Sequence, residues 1–171
     1  VINNNKEEIN EIEWLNNIYK NCNEYGIKFN KRILYAFHTS LKISDWSILT
    51  VLAGVSGTGK SELPKLYAKF GGLNFINIAV QPNWDSQESM LGYFNSIDKR
   101  FDAQPLLRFL AQVTKKNQQK NENEILPSEC MSLILLDEMN LAHVEHYFAD
   151  FLSKLEARRS EGKGKVPYVE I

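Results

Sequence analysis

Eight consecutive residues, Gly54-Val55-Ser56-Gly57-Thr58-Gly59-Lys60-Ser61, match G-x-x-x-x-G-K-[ST] at every required position. The chemistry of this pattern is phosphate binding. Glycines let the backbone curl so that successive N–H groups point inward at phosphate oxygens. A helix that follows adds the partial positive charge of its N-terminus. Lys60 then reaches the β- and γ-phosphates, and the Ser61 hydroxyl ligates Mg²⁺. Gly54 through Ser61 are therefore the candidate nucleotide-binding residues. The competing reading is a glycine-rich turn with a chance lysine. An apolar run before the motif and an amphipathic run after it favour the phosphate loop.

A second chemical stretch is LILLDEMN, Leu133 to Asn140, where four apolar residues run into two carboxylates. Charge is costly inside a strand buried on both faces. Asp137 is therefore expected at the carboxyl edge of the strand, where ligands of α/β sheets sit. There it would hold Mg²⁺, through water, against nucleotide phosphates. Glu138 is expected to face the other way and to poise a water against the γ-phosphate. The competing reading is an acidic start to the next helix. Asn140 either hydrogen-bonds the attacking water or the γ-phosphate, or caps a helix beginning at Ala142. The candidate catalytic set is thus Glu138, Lys60 and Asn140, and the candidate metal set is Ser61 and Asp137.

The elements that must position these groups are legible as patterns. Residues 5–22 carry Ile9, Ile12, Leu15, Ile18, Tyr19 and Cys22 at helical spacing, with Asn5 as cap and Tyr25-Gly26 as stop. A second helix presents Ile33, Leu34, Phe37 and Leu41. Ile48 to Ala53 reads as a buried strand, ELPKLYAKFGG as a helix with Pro64 in its first turns, and Asn74 to Val80 as a second strand. Ser86 to Leu91 is a short helix or turn, and GYFNSIDKRFDAQ a loop. Leu106, Leu107, Leu110 and Val113 continue a helical face, and KKNQQKNENE is a solvated loop. Ser132 to Leu136 is the third strand. Ala142 to Ala157 is one long helix with Val144, Tyr147, Phe148, Phe151, Leu152 and Leu155 inward, and GKGKVPYVEI is a turn entering a strand. This β-α-β-α-β-α order, with apolar rather than alternating strands, predicts an α/β three-layer fold with a parallel sheet covered on both faces. Residues 1–45 form a helical segment leading into a nucleotide-binding core over 46–171.

Composition sets outer limits. With 171 residues, 43% hydrophobic and 24% charged, the chain can build a core, and its net charge of −1 gives no bulk attraction to nucleic acid or anionic lipid. Cys22 and Cys130 form neither a C-x-x-C pair nor a zinc spacing, as expected of reduced thiols in a cytoplasmic protein. No apolar run approaches the roughly 20 residues of a membrane span, and the polar opening VINNNKEEIN is no signal peptide. His143, His146 and Asp150 share helical spacing, yet HVEH matches no zinc motif. Lys115, Lys116 and Lys120 are interleaved with amides and acids, which favours a solvated face over a nucleic-acid contact.

Taken together, GVSGTGKSEL, VQPNWDSQESMLGYFN and LLDEMNLAHVEHYFADFLSKLEARR resemble the AAA+ ATPases, and within them the branch of the McrB-like motor subunit of modified-cytosine restriction systems. The resemblance covers about residues 30–170. It implies a ring-forming motor, usually hexameric, that binds and hydrolyses ATP or GTP with Mg²⁺. In a restriction or phage-defence complex it would drive a separate nuclease along DNA. Relatives of the MoxR kind remodel protein instead, and a nucleotide-gated scaffold with little turnover is a further alternative. Lys60 and Ser61 match the Walker A residues of the family, and Asp137 and Glu138 the Walker B pair. Trp84, Asp85 and Leu91-Gly92-Tyr93 match a segment that follows the second strand in this branch, serving as pore or interface contact or as core. The guanine-reading N-K-x-D of Ras-type proteins is absent, which leaves ATP as the default. The resemblance also implies a fourth strand between the first and third, a sensor residue, an arginine finger, a fifth strand and a helical lid, none of which matches these residues. Arg158 and Arg159 could be taken for the finger, but read rather as solvated helix-end charges or intersubunit salt bridges. The sequence is accordingly expected to be part of a longer protein and to hydrolyse nucleotide poorly by itself.

Overall fold

The structure is a computed structural model and describes residues 10–43, 49–119 and 131–157. The predicted cap Asn5, Arg158, Arg159, Cys130, Lys120 and the tail GKGKVPYVEI lie outside them. The first two helices pair through apolar faces set by their spacing. Helix α1 (Glu11–Glu24) buries Leu15, Ile18 and Cys22, and α2 (Lys31–Lys42) buries Leu34, Phe37 and His38. Asparagines start both. Asn10 Oδ1 accepts from Glu13 N at 3.3 Å, and Asn30 Oδ1 accepts from Arg32 N at 2.9 Å. Helix α3 (Glu62–Gly71) follows the glycine-rich loop and ends at Gly72 in the left-handed conformation. Leu63, Leu66 and Tyr67 of α3 join the buried residues of α1 and α2 in one cluster. The edge of Trp14 lies so close to Gly71 that a β-carbon there would come within 2.6 Å of it. This lets α1 lie tightly on α3.

The sheet is small. Strand β1 (Asn74–Ala79) pairs in parallel with β4 (Ser132–Asp137), with Asn74 opposite Ser132 and Ala79 opposite Asp137. Leu133 turns to the first cluster, whereas Ile134 and Leu136 turn to a second, so helices cover both faces. The second cluster gathers Ile78, Val80, Met90, Leu91, Leu106, Tyr147 and Phe148. It draws on α4 (Gln87–Leu91), α5 (Pro105–Gln119) and the one-turn α6 (Val144–Tyr147). Helix α7 (Ala149–Ala157) follows directly. Among the described residues no helix is long and apolar enough to cross a membrane.

Four expectations are corrected. Of the predicted first strand, Ile48 lies outside the described residues, and Thr50 to Ala53 join no ladder among them, with Val51 73% exposed. Apolar, β-branched composition supplies propensity, but a strand exists only as a hydrogen-bonded pair. The stretch GYFNSIDKRFDAQ is a hairpin rather than a loop, with β2 (Gly92–Asn95) antiparallel to β3 (Arg100–Ala103). Asn95 Oδ1 accepts from Ile97 N and Asp98 N, and Lys99 takes the left-handed conformation that closes the turn. Helix α5 runs through Lys115 and Lys116 to Gln119, where a loop was expected. The single helix expected from Ala142 is instead a 3₁₀ turn at Met139–Leu141 followed by α6 and α7. Leu152, expected inward, is exposed, and Leu155 lies outside the described side chains.

Candidate functional site

The glycine-rich loop lies between Ala53 and the start of α3. Gly57 and Gly59 adopt φ of 81° and 83°, values that a β-carbon disfavours, so the curl of the loop depends on them. Two side chains brace it. Thr58 Oγ1 donates to the Val55 carbonyl at 2.9 Å, and Lys60 Nζ folds back to the same carbonyl at 2.7 Å. Leu63 N donates to Gly59 O at 2.9 Å, which joins the loop to the first turn of α3. No motif or spacing singles out Phe29. Its ring edge sits 3.2 Å from where a β-carbon on Gly59 would be, so the α1–α2 connection covers the loop from one side.

Asp137 is the last residue of β4 rather than the first beyond it, and it stands at the carboxyl edge as expected. Val80 N donates to its carbonyl at 2.9 Å, which ties that edge to β1. Its carboxylate accepts twice at Oδ1, from Ser61 Oγ at 3.0 Å and from Glu138 N at 3.1 Å. The first bond joins the glycine-rich loop to the end of β4. Ser61 is thus brought to Asp137, whereas the ammonium of its neighbour Lys60 rests on the Val55 carbonyl. Serine hydroxyl and aspartate carboxylate are hard oxygen donors of the kind that Mg²⁺ takes. Among the described residues no group of three or more His, Cys, Asp or Glu could hold a metal ion.

Glu138 is exposed and holds φ 56°, ψ 41°, the left-handed region. A non-glycine residue there costs roughly 1 kcal/mol or more, and such strain concentrates at functional sites. The conformation turns the chain sharply after β4, into the 3₁₀ turn that carries Asn140. Asn140 is exposed and caps no α-helix, because the N-cap of α6 is His143. Its side chain has no hydrogen-bond partner among the described residues. Of the matched segment after β1, Trp84 packs edge-on against buried Tyr147 at 5.3 Å, whereas Tyr93 is 47% exposed on the hairpin.

A polar network that runs from buried His38 and Tyr67 out to exposed Glu11 and Lys42 has no signal in the sequence motifs. His38 Nδ1 lies 2.8 Å from Tyr67 Oη, and His38 Nε2 lies 2.6 Å from Glu11 Oε1, which also pairs with Lys42. The hydrogen bonds from Lys42 and His38 hold the Glu11 carboxyl below its ordinary value of 4.5. Burial, helped by Glu11, pushes the Tyr67 hydroxyl well up. The network fastens α1 and α2 to α3. Periodicity could have flagged only His38, a polar residue on the buried face of α2. No family model, curated protein or solved structure matches the chain.

Proposed function

We propose that this chain is the nucleotide-binding core of a P-loop NTPase of the AAA+ kind, which hydrolyses ATP or GTP. The observation that carries the proposal is the 3.0 Å bond from Ser61 to Asp137, which places loop and strand edge at one point. In this reading the backbone N–H groups of Gly54 to Ser61 cradle the phosphates. Lys60 leaves the Val55 carbonyl for the β- and γ-phosphate oxygens. Ser61 directly and Asp137 through water would hold Mg²⁺, which would supply neutralisation of the phosphate charge. Glu138 accepts a proton from water as the water oxygen bonds to the γ-phosphorus and the bond to the β–γ bridging oxygen breaks. The products are nucleoside diphosphate and inorganic phosphate. Asn140, two residues on and without a hydrogen-bond partner among the described residues, orients that water or the γ-phosphate.

The absence of a strand ladder at Thr50 to Ala53 among the described residues agrees with this reading. In the sheet that the sequence resembles, another strand stands between the first and the third, so this stretch would not pair with β4 directly. The LDEMNLA string extends the proposal to a ring-forming motor, hexameric by resemblance, that works with a separate nuclease on DNA. The test is phosphate release from Mg-ATP and Mg-GTP by the full-length protein, wild type against Glu138→Gln. Turnover that the substitution abolishes supports the proposal. Equal turnover in both proteins removes Glu138 from the chemistry.

A further inference from the structure

Among the described residues strand β1 has one neighbour, β4. Asn74 N donates to Met131 O and Val80 N donates to Asp137 O, both on the β4 side. Alternation along a strand then points the N–H and C=O groups of Asn77 and Ala79 the other way. Nothing among the described residues pairs with them. Natural edge strands are guarded by charge, proline or a bulge. Asn74–Ala79 reads NFINIA, with no charge and no proline, and its register with β4 is unbroken.

A cavity of about 600 Å³ opens along this edge, lined by Asn77 and Ala79 and by side chains from the α4 and α5 starts and the hairpin. Asp85 and Glu88 line it, both exposed, and no lysine or arginine does. The Asn77 and Gln104 carboxamides that line it have no hydrogen-bond partner among the described residues. Trp84, held from behind by Tyr147, offers an aromatic surface beside them. Two carboxylates without a cation repel a phosphate backbone, so nucleic acid is disfavoured. They complement an ammonium or guanidinium group.

We propose that the free edge of β1 is a docking site for an extended segment of a partner protein, added as a strand and carrying lysine or arginine. Its backbone would pair with Asn77 and Ala79. Specificity would come from a basic side chain reaching Asp85 and Glu88 with its aliphatic stem along Trp84. Ala79 lies opposite Asp137 in the ladder, but the docking edge faces away from β4 and its contacts Asn77, Ala79, Asp85 and Glu88 are none of the residues assigned to nucleotide, so the proposal does not require nucleotide hydrolysis.

The probe is a short fluorescent peptide of alternating threonine and lysine, titrated into the chain at low salt. Binding is expected, with slowed amide exchange at Asn77 and Ala79. N-methylation of alternate peptide amides, which removes strand pairing without changing charge, is expected to weaken binding at least about tenfold. Asp85→Lys and Glu88→Lys, both at exposed positions, are expected to do the same while improving binding of a threonine–glutamate peptide. No binding, equal binding of the N-methylated peptide, or unchanged affinity in both variants would overturn the proposal. So would displacement of the peptide by a single-stranded oligonucleotide.

Discussion

Ser61 Oγ donates to Asp137 Oδ1 across 3.0 Å, joining two residues 76 positions apart. A hydrogen bond to a carboxylate of this kind contributes about 1–2 kcal/mol when partly buried. Ser61→Ala and Asp137→Asn are each expected to cost about 1 kcal/mol in urea unfolding, and the double variant less than their sum. The same substitutions should remove the dependence of nucleotide affinity on Mg²⁺, whereas Ser61→Thr should keep it. A titration of nucleotide with and without chelator checks this. Unchanged Mg²⁺ dependence in Asp137→Asn would separate the bond from metal binding.

Glu138 trades stability for position. Its left-handed backbone is one that glycine adopts freely. Glu138→Gly is therefore expected to raise stability by about 1 kcal/mol while abolishing turnover. Glu138→Gln should abolish turnover with stability unchanged. Thermal unfolding and phosphate release, measured on the same preparations, distinguish these outcomes. A destabilised Glu138→Gly protein would mean that the turn is held by more than backbone strain.

Glu11 gives the fold an acid limit. Lys42 and His38 hold its carboxyl below 4.5, so the folded state binds fewer protons there than the unfolded state does. The stability it contributes is present above pH 4.5 and is lost as pH falls through the lowered folded value. Stability measured by urea unfolding from neutral pH down to pH 3 should fall less steeply below about pH 4.5 in Glu11→Gln than in wild type. Parallel curves would show that the pairing with Lys42 and His38 adds nothing in solution.

What could be read from the sequence followed from residues whose environment is set locally. The loop from Gly54 to Ser61 needs particular backbone freedom and carries it in its glycines. The edge position of Asp137 followed from four apolar residues running into charge. Helices α1, α2 and α3 announced themselves by spacing, and Gly72 marked the end of α3. Errors fell where tertiary contacts decide. Thr50 to Ala53 have strand composition but join no ladder among the described residues. The hairpin hid because Tyr93 and Phe94 break alternation and its turn lacks glycine. Asn95 with Asp98 was the only local sign of that turn. The break between α6 and α7 has no proline or glycine to mark it. There Tyr147 is buried, donating to the Met139 carbonyl at 3.1 Å and packing on Trp84, and this packing fixes the chain path.

The most direct measurement is calorimetric titration of Mg-ATP and Mg-GTP into wild type and Lys60→Ala. Lys60 now rests on the Val55 carbonyl and is free to turn to a phosphate. The account predicts saturable binding of at least one nucleotide by wild type and a loss of about tenfold to a hundredfold in Lys60→Ala, or about 1.4–2.8 kcal/mol. Equal affinity in the two proteins, or no binding by wild type, would contradict the assignment of Gly54 to Ser61 as a phosphate loop.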